Sequence, residues 1–106
     1  MRVALKHLEI LVLSAAGLCG SVAMAADTNN GAQRAKRWCA TCHLVDSDQK
    51  RQVRTFPPFA AIARKLDFTP EKVAFFLLDP HPKMPNFSLS QSEAAVIAAY
   101  IGSLRK

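Results

Sequence analysis

Apolar residues near the end of the chain recur at spacings of three and four. Val96, Ile97, Tyr100, Ile101 and Leu104 therefore line one face of a helix. Ser90-Gln91-Ser92-Glu93 ahead of them has the capping-box pattern, in which a hydroxyl and an acid satisfy the first free amides of the helix. A second helix is predicted from Thr69-Pro70-Glu71, with a capping hydroxyl, proline at the first helical position and an acid in the first turn. It ends near Leu78, since Pro80 and Pro82 cannot continue it. "FPPFAAIARKL" offers a short helix after Pro58, and the polar stretch "VDSDQKRQVRT" before it is expected to be a surface loop. The first helix of the domain is predicted from about Gly31 to Ala40, capped by Asn30 or Thr28. No segment alternates as a strand does, and no internal repeat or low-complexity tract is present. The pattern predicts a small all-α domain.

The beginning of the chain follows different rules. Arg2 and Lys6 make a basic start, an apolar and small-residue run extends from Ile10, and Ala23 and Ala25 occupy A-x-A positions. These are the parts of a secretory signal with cleavage after Ala25, so residues 1–25 are assigned to the signal and 26–106 to the domain. The run is short and diluted for a membrane span, which makes an uncleaved anchor the weaker alternative. Lipid attachment at Cys19 is disfavoured by the bulk of Leu18. Export would place the domain in the periplasm, with no membrane span left after cleavage.

The chain has 106 residues, half of them apolar, which allows one small domain. Cleavage would remove Arg2, Lys6 and Glu9, lowering the formal charge from +6 to +5. Such a surplus steers a domain toward acidic partners, and its long-range part is lost at high salt. Nucleic acid is a poor partner for an exported chain whose basic residues are not gathered in one arm.

Removing the signal leaves Cys39 and Cys42 as the domain's cysteines, followed at once by His43 in "RWCATCHLVD". One close pair cannot form a disulfide framework, yet a domain this small needs something to fill its middle. Cys-x-x-Cys-His is a pattern for covalent haem attachment. The two thiols add to the two vinyl groups of the porphyrin, and the adjoining histidine lies beneath the iron as its proximal ligand. Zinc would require Cys39, Cys42, His43 and His81 to close a tetrahedron, awkward for adjacent Cys42 and His43. A redox dithiol would be expected beside a βαβ unit, which this pattern lacks.

The domain keeps one methionine, Met84, between prolines in "DPHPKMPNFS". Proline fixes φ, so this loop has little freedom left to lose and can hold a weak thioether against iron. Met84 is the expected distal ligand, which would raise the reduction potential; the alternative is His81, three residues before it. The proximal histidine needs an acceptor for its other ring nitrogen, and the carbonyl of Pro57 in "TFPPF" is the candidate, unless Pro57 and Pro58 only make a turn.

Four stretches in this order, "GAQRAKRWCATCH", "FPPFAAIA", "DPHPKMPNFSLS" and "SEAAVIAAYIGSL", resemble the class I c-type cytochromes of the small bacterial monohaem kind. The resemblance implies a cytochrome c-like fold of three to five short helices wrapped around one covalent haem. It implies an electron carrier rather than an enzyme: the iron of the haem c changes oxidation state without changing ligands, and the site is Cys39, Cys42, His43 and Met84. In that family a glycine near the start of the first helix makes room for an aromatic residue of the last, and Gly31 and Tyr100 match those positions. Two residues depart from the pattern: Ala35 replaces the usual Phe or Tyr, with Trp38 as a candidate to compensate, and Leu44 stands where glycine is common. Phe56, Phe59, Phe75, Phe76 and Phe87 are expected around the porphyrin. Lys36, Lys50, Arg51, Arg54 and Lys83 are expected as a basic rim for redox partners with acidic docking surfaces, approached by a monomer. A five-coordinate haem acting as a gas sensor or peroxidase is the alternative, as is a subunit of a larger oxidase or dehydrogenase.

Overall fold

In the computed structural model, which describes residues 20–53, 55–80 and 82–106, with side chains from residue 28, four helices surround a small core. They are α1 (Gly20–Trp38), α2 (Phe59–Ala63), α3 (Pro70–Leu78) and α4 (Gln91–Ser103). No strand occurs among the described residues, as the lack of alternation predicts. No helix among them is long and apolar enough to cross a membrane. Most of the expected signal, including Cys19, lies outside the described residues, as do Arg54 and His81.

The starts of α3 and α4 are those the sequence predicts. Thr69 accepts the Lys72 amide on its hydroxyl at 3.1 Å. Ser90 Oγ accepts from the Glu93 amide at 3.1 Å, while Glu93 Oε1 accepts from the Ser90 amide at 2.9 Å, closing the capping box. The first helix departs from the expectation. It begins well before Gly31 and ends at Trp38. The segment Gly20–Asn30 contains no proline, and its alanines carry the helix onward. Asn30 is therefore interior, and its side chain accepts from Arg34 Nε one turn on at 3.0 Å rather than capping. The expected cleavage point after Ala25 falls inside α1.

Helix α4 is the hub, packed by α1, α2 and α3. Ala94, Ile97, Ala98, Tyr100 and Ile101 are its buried residues. Its crossing with α1 is close because Gly31 has no side chain: a Cβ there would lie 1.9 Å from the Val96 carbonyl oxygen and 2.8 Å from Tyr100 Cβ. Ala35, one turn on, is fully buried in the same core cluster as Ile97, Tyr100 and Ile101. Trp38, half-buried, instead stacks under the Arg34 guanidinium at 5.6 Å, and Arg34 also pairs with Glu93 of α4 at 2.8 Å. Leu44 needs no glycine, since the residue with positive φ among those described is Ser88.

Candidate functional site

The chain leaves α1 through a tight turn in which the amides of Cys42 and His43 both donate to the Cys39 carbonyl, at 3.1 and 2.9 Å. That turn brings Cys39, Cys42 and His43 to one wall of a cavity of about 730 Å³. This volume lies within the roughly 300–1,000 Å³ of small-molecule and cofactor sites. Phe56, Pro57 and Phe59 form the adjoining wall, α3 contributes Val73, Phe76 and Leu77, and Met84 with Phe87 lines it from the proline-rich loop.

The His43 ring is fixed on three sides. Its Nδ1–H donates to the Pro57 carbonyl at 2.7 Å; the carbonyl can only accept, so Nε2 is left with a free lone pair for a metal. The Phe56 and Phe59 rings stand 5.7 and 5.4 Å from the imidazole, both tilted. The thiols of Cys39 and Cys42 are free, the first buried and the second half-buried. Burial, and then the neighbouring Cys42, push the Cys39 thiol up to about 11. An apolar cavity with two free thiols, an oriented imidazole and a thioether on its lining fits a covalently held metalloporphyrin. Among the described residues no group of three or more His, Cys, Asp or Glu could hold a metal ion without one.

Two expectations for the surroundings need correction. Phe56, Phe59, Phe76 and Phe87 line the cavity, but Phe75 does not; it is 78% exposed. At about 100° per residue Val73, Phe76 and Leu77 share the side of α3 that faces the cavity, and Phe75 falls on the far side of the helix. Phe68 lines the cavity instead. Its position just before the Thr69 cap, where an apolar residue packs back on the first turn, was the signal for it. Of the expected basic rim only Lys83 lines the cavity, joined by Arg37, Lys65 and Lys72 and by the acid Asp67. Lys36 turns away to pair with Asp46 at 3.4 Å, Lys50 and Arg51 do not line the cavity, and Arg54 lies outside the described residues.

Comparison with known proteins agrees with this geometry. The family described as cytochrome c oxidase, cbb3-type, subunit III matches residues 26–101. The chain is also 59% identical over 100 residues to cytochrome c-552 of Bradyrhizobium diazoefficiens, covering 93% of this chain and 96% of that protein. The chain belongs to the c-type cytochromes. It has their all-α fold, its cofactor is covalently bound haem c with iron, and its work is electron transfer. No solved structure matches the cytochrome.

Proposed function

We propose that this cytochrome is a monomeric periplasmic carrier of single electrons, not an enzyme, with one haem c joined through Cys39 and Cys42. His43 is the proximal ligand, oriented by the Pro57 carbonyl, and Met84 is the distal ligand. The observation that carries the proposal is the convergence of both thiols, the His43 ring and Met84 on one cavity. Bound there, the haem supplies an iron that gains and loses one electron. The chain's own residues do the rest. Pro57 holds the Nδ1 proton, which fixes the tautomer and would leave Nε2 to ligate the iron. Pro82 and Pro85 stiffen the loop on either side of Met84, so a weak ligand can stay in place through the redox change. Phe56, Phe59, Phe68 and Phe76 would border the bound haem, and thioether ligation would raise its reduction potential.

Arg37, Lys65, Lys72 and Lys83 at the cavity suit brief docking to an acidic oxidase, reductase or dehydrogenase surface, with an on-rate that falls as salt rises. The basic start and the Ala23-x-Ala25 site support export and cleavage after Ala25, which leaves a carrier without a membrane span.

The test is the optical spectrum of the ferric and ferrous holoprotein beside Met84→Ala. The wild type should be low-spin, with the weak red charge-transfer band that sulfur ligation gives ferric haem. Met84→Ala should lose that band and gain carbon monoxide binding in the ferrous form. A wild type that is already high-spin and binds carbon monoxide would transfer the site to gas sensing or peroxidase chemistry. A wild-type band that survives in Met84→Ala would remove Met84 from the iron.

A further inference from the structure

Gln49 lies in the polar loop that follows His43, and its half-buried side chain has four main-chain hydrogen-bond partners. Its Oε1 accepts from the Val45 amide at 2.9 Å. Its Nε2 lies 3.1 Å from the Ala40 carbonyl, 3.2 Å from that of His43 and 3.0 Å from that of Arg51. Three carbonyls on one side and an amide on the other settle which end is nitrogen. Two N–H groups serve three acceptors, so at least one is shared.

The positions of these partners matter more than their number. Ala40 lies between the two cysteines, His43 is the proposed ligand itself, and Val45 is two residues beyond it. Main-chain groups before, at and after the histidine are thus tied to one amide. Neighbouring bonds complete the frame. The Leu44 carbonyl accepts from the Phe59 amide at 3.0 Å, and the Val45 carbonyl from the buried Tyr100 hydroxyl at 2.6 Å. Gln49 is itself held, its amide donating to the Asp46 carbonyl at 3.2 Å and its carbonyl accepting from Gln52 Nε2 at 2.9 Å.

We propose that Gln49 is a positioning residue of the haem site: its amide sets the main chain around His43 and hence the angle at which the imidazole meets the iron. Pro57 fixes which ring nitrogen faces the metal, and Gln49 fixes the backbone from which the ring hangs. The inference rests on His43 being the proximal ligand. The bonds to Ala40, His43 and the buried Val45 are only partly open to solvent, so water replaces them incompletely and changing the amide should move the turn.

The test compares wild-type holoprotein with Gln49→Glu and Gln49→Ala. Glutamate keeps the length and the acceptor for Val45 but turns the donors into oxygens facing three carbonyls. Alanine removes both functions. Three quantities are read: the hyperfine-shifted haem methyl resonances of the ferric protein, which report the ligand planes; the reduction potential; and the exchange rate of the Val45 amide. Both variants are expected to remain folded and low-spin with a changed methyl-shift pattern and a displaced potential. Val45 exchange in Gln49→Ala should accelerate about tenfold, the equivalent of one lost hydrogen bond. Should Gln49→Glu fail to mature, Gln49→Met, of similar length and without donors, is read in its place.

Wild-type methyl shifts and potential in the variants, with only a lower unfolding midpoint, would make Gln49 a loop staple and overturn the proposal. If the wild type itself lacks histidine-ligated covalent haem, the site assignment falls first, and the two failures are told apart by that spectrum.

Discussion

Replacing Gly31 by alanine sets two well-measured effects against each other. In an ordinary helix interior the change stabilises by about 1 kcal/mol, because glycine is the poorer helix former. Here the added methyl would lie 1.9 Å from the Val96 carbonyl oxygen, 2.6 Å from its carbon and 2.8 Å from Tyr100 Cβ. Ordinary contact between such atoms is about 3.5 Å. The nearest atoms are backbone of another helix, so no side chain can rotate aside, and α1 must withdraw from α4 by roughly 1.5 Å. Overpacking of this kind costs about 1–3 kcal/mol, and a backbone clash belongs at the upper end. Displacing Tyr100 also stretches its 2.6 Å bond to the Val45 carbonyl, worth about 1 kcal/mol. Against the propensity gain, the net loss is about 3 kcal/mol, or a fall in Tm of roughly 12–24 °C for a domain of this size. Gly102→Ala is the control. There the nearest atom is the Phe68 ring at 3.4 Å, which is ordinary contact, so propensity wins and stability rises by up to about 1 kcal/mol. Urea and thermal unfolding of the holoproteins, followed by far-ultraviolet dichroism, give both numbers. A Gly31→Ala protein as stable as the wild type would refute the close crossing of α1 and α4.

Tyr100→Phe should cost about 1–2 kcal/mol by urea unfolding, since it leaves the Val45 carbonyl without its buried donor, while the haem spectrum keeps its low-spin form. A change below about 0.3 kcal/mol would mean that ring packing alone holds this contact. The Glu93 carboxyl is held below the ordinary carboxylate range by the Ser90 amide first, then the Ser90 side chain, with the Arg34 charge adding to both. A depressed folded value stabilises above the unfolded value and is lost as pH falls through the folded one. Glu93→Gln should therefore lower the urea midpoint at neutral pH, and its deficit against the wild type should shrink in acid. A deficit independent of pH would assign the effect to the capping geometry and not to the charge.

Much of the cytochrome was legible because its signals are local. Thr69-Pro70-Glu71 and Ser90–Glu93 carry their caps within four residues, and both helices begin where those caps place them. Cys39, Cys42 and His43 are likewise bound to one wall by the length of a single turn. Sequence distance and spatial distance part company at the rim of the cavity. Lys36 and Arg37 are neighbours in the chain, yet one pairs with Asp46 and the other reaches the cavity. Phe75 and Phe76 part in the same way. The start of α1 is not legible at Asn30, a good cap by type, because Asn30 pairs with Arg34 one turn ahead inside a helix that has already begun. Gln49 gave no signal, since nothing in a polar loop marks the one residue whose amide folds back onto the turn before it.

The two sides of the proposed iron site are built by different means, and this bears on how the site should respond to change. The His43 side is a lattice of directed bonds: the ring to Pro57, the main chain to Gln49, Leu44 to Phe59 and Val45 to Tyr100 of α4. It is tied to the helix on which the whole fold packs. The Met84 side lies between α3 and α4 in a stretch without regular structure among its described residues, shaped by Pro80, Pro82 and Pro85. There the Asn86 side chain accepts from the Ser88 amide at 2.8 Å, and Ser88 takes a positive φ. Proline restricts where a chain can go but does not fasten it to its neighbours. Local opening should therefore release Met84 well before it disturbs His43, because opening follows the regions with the fewest buried contacts. On the proposed ligand set, mild denaturant should first exchange the thioether for an external ligand while the histidine and both thioether links hold, leaving global unfolding as a separate and later event.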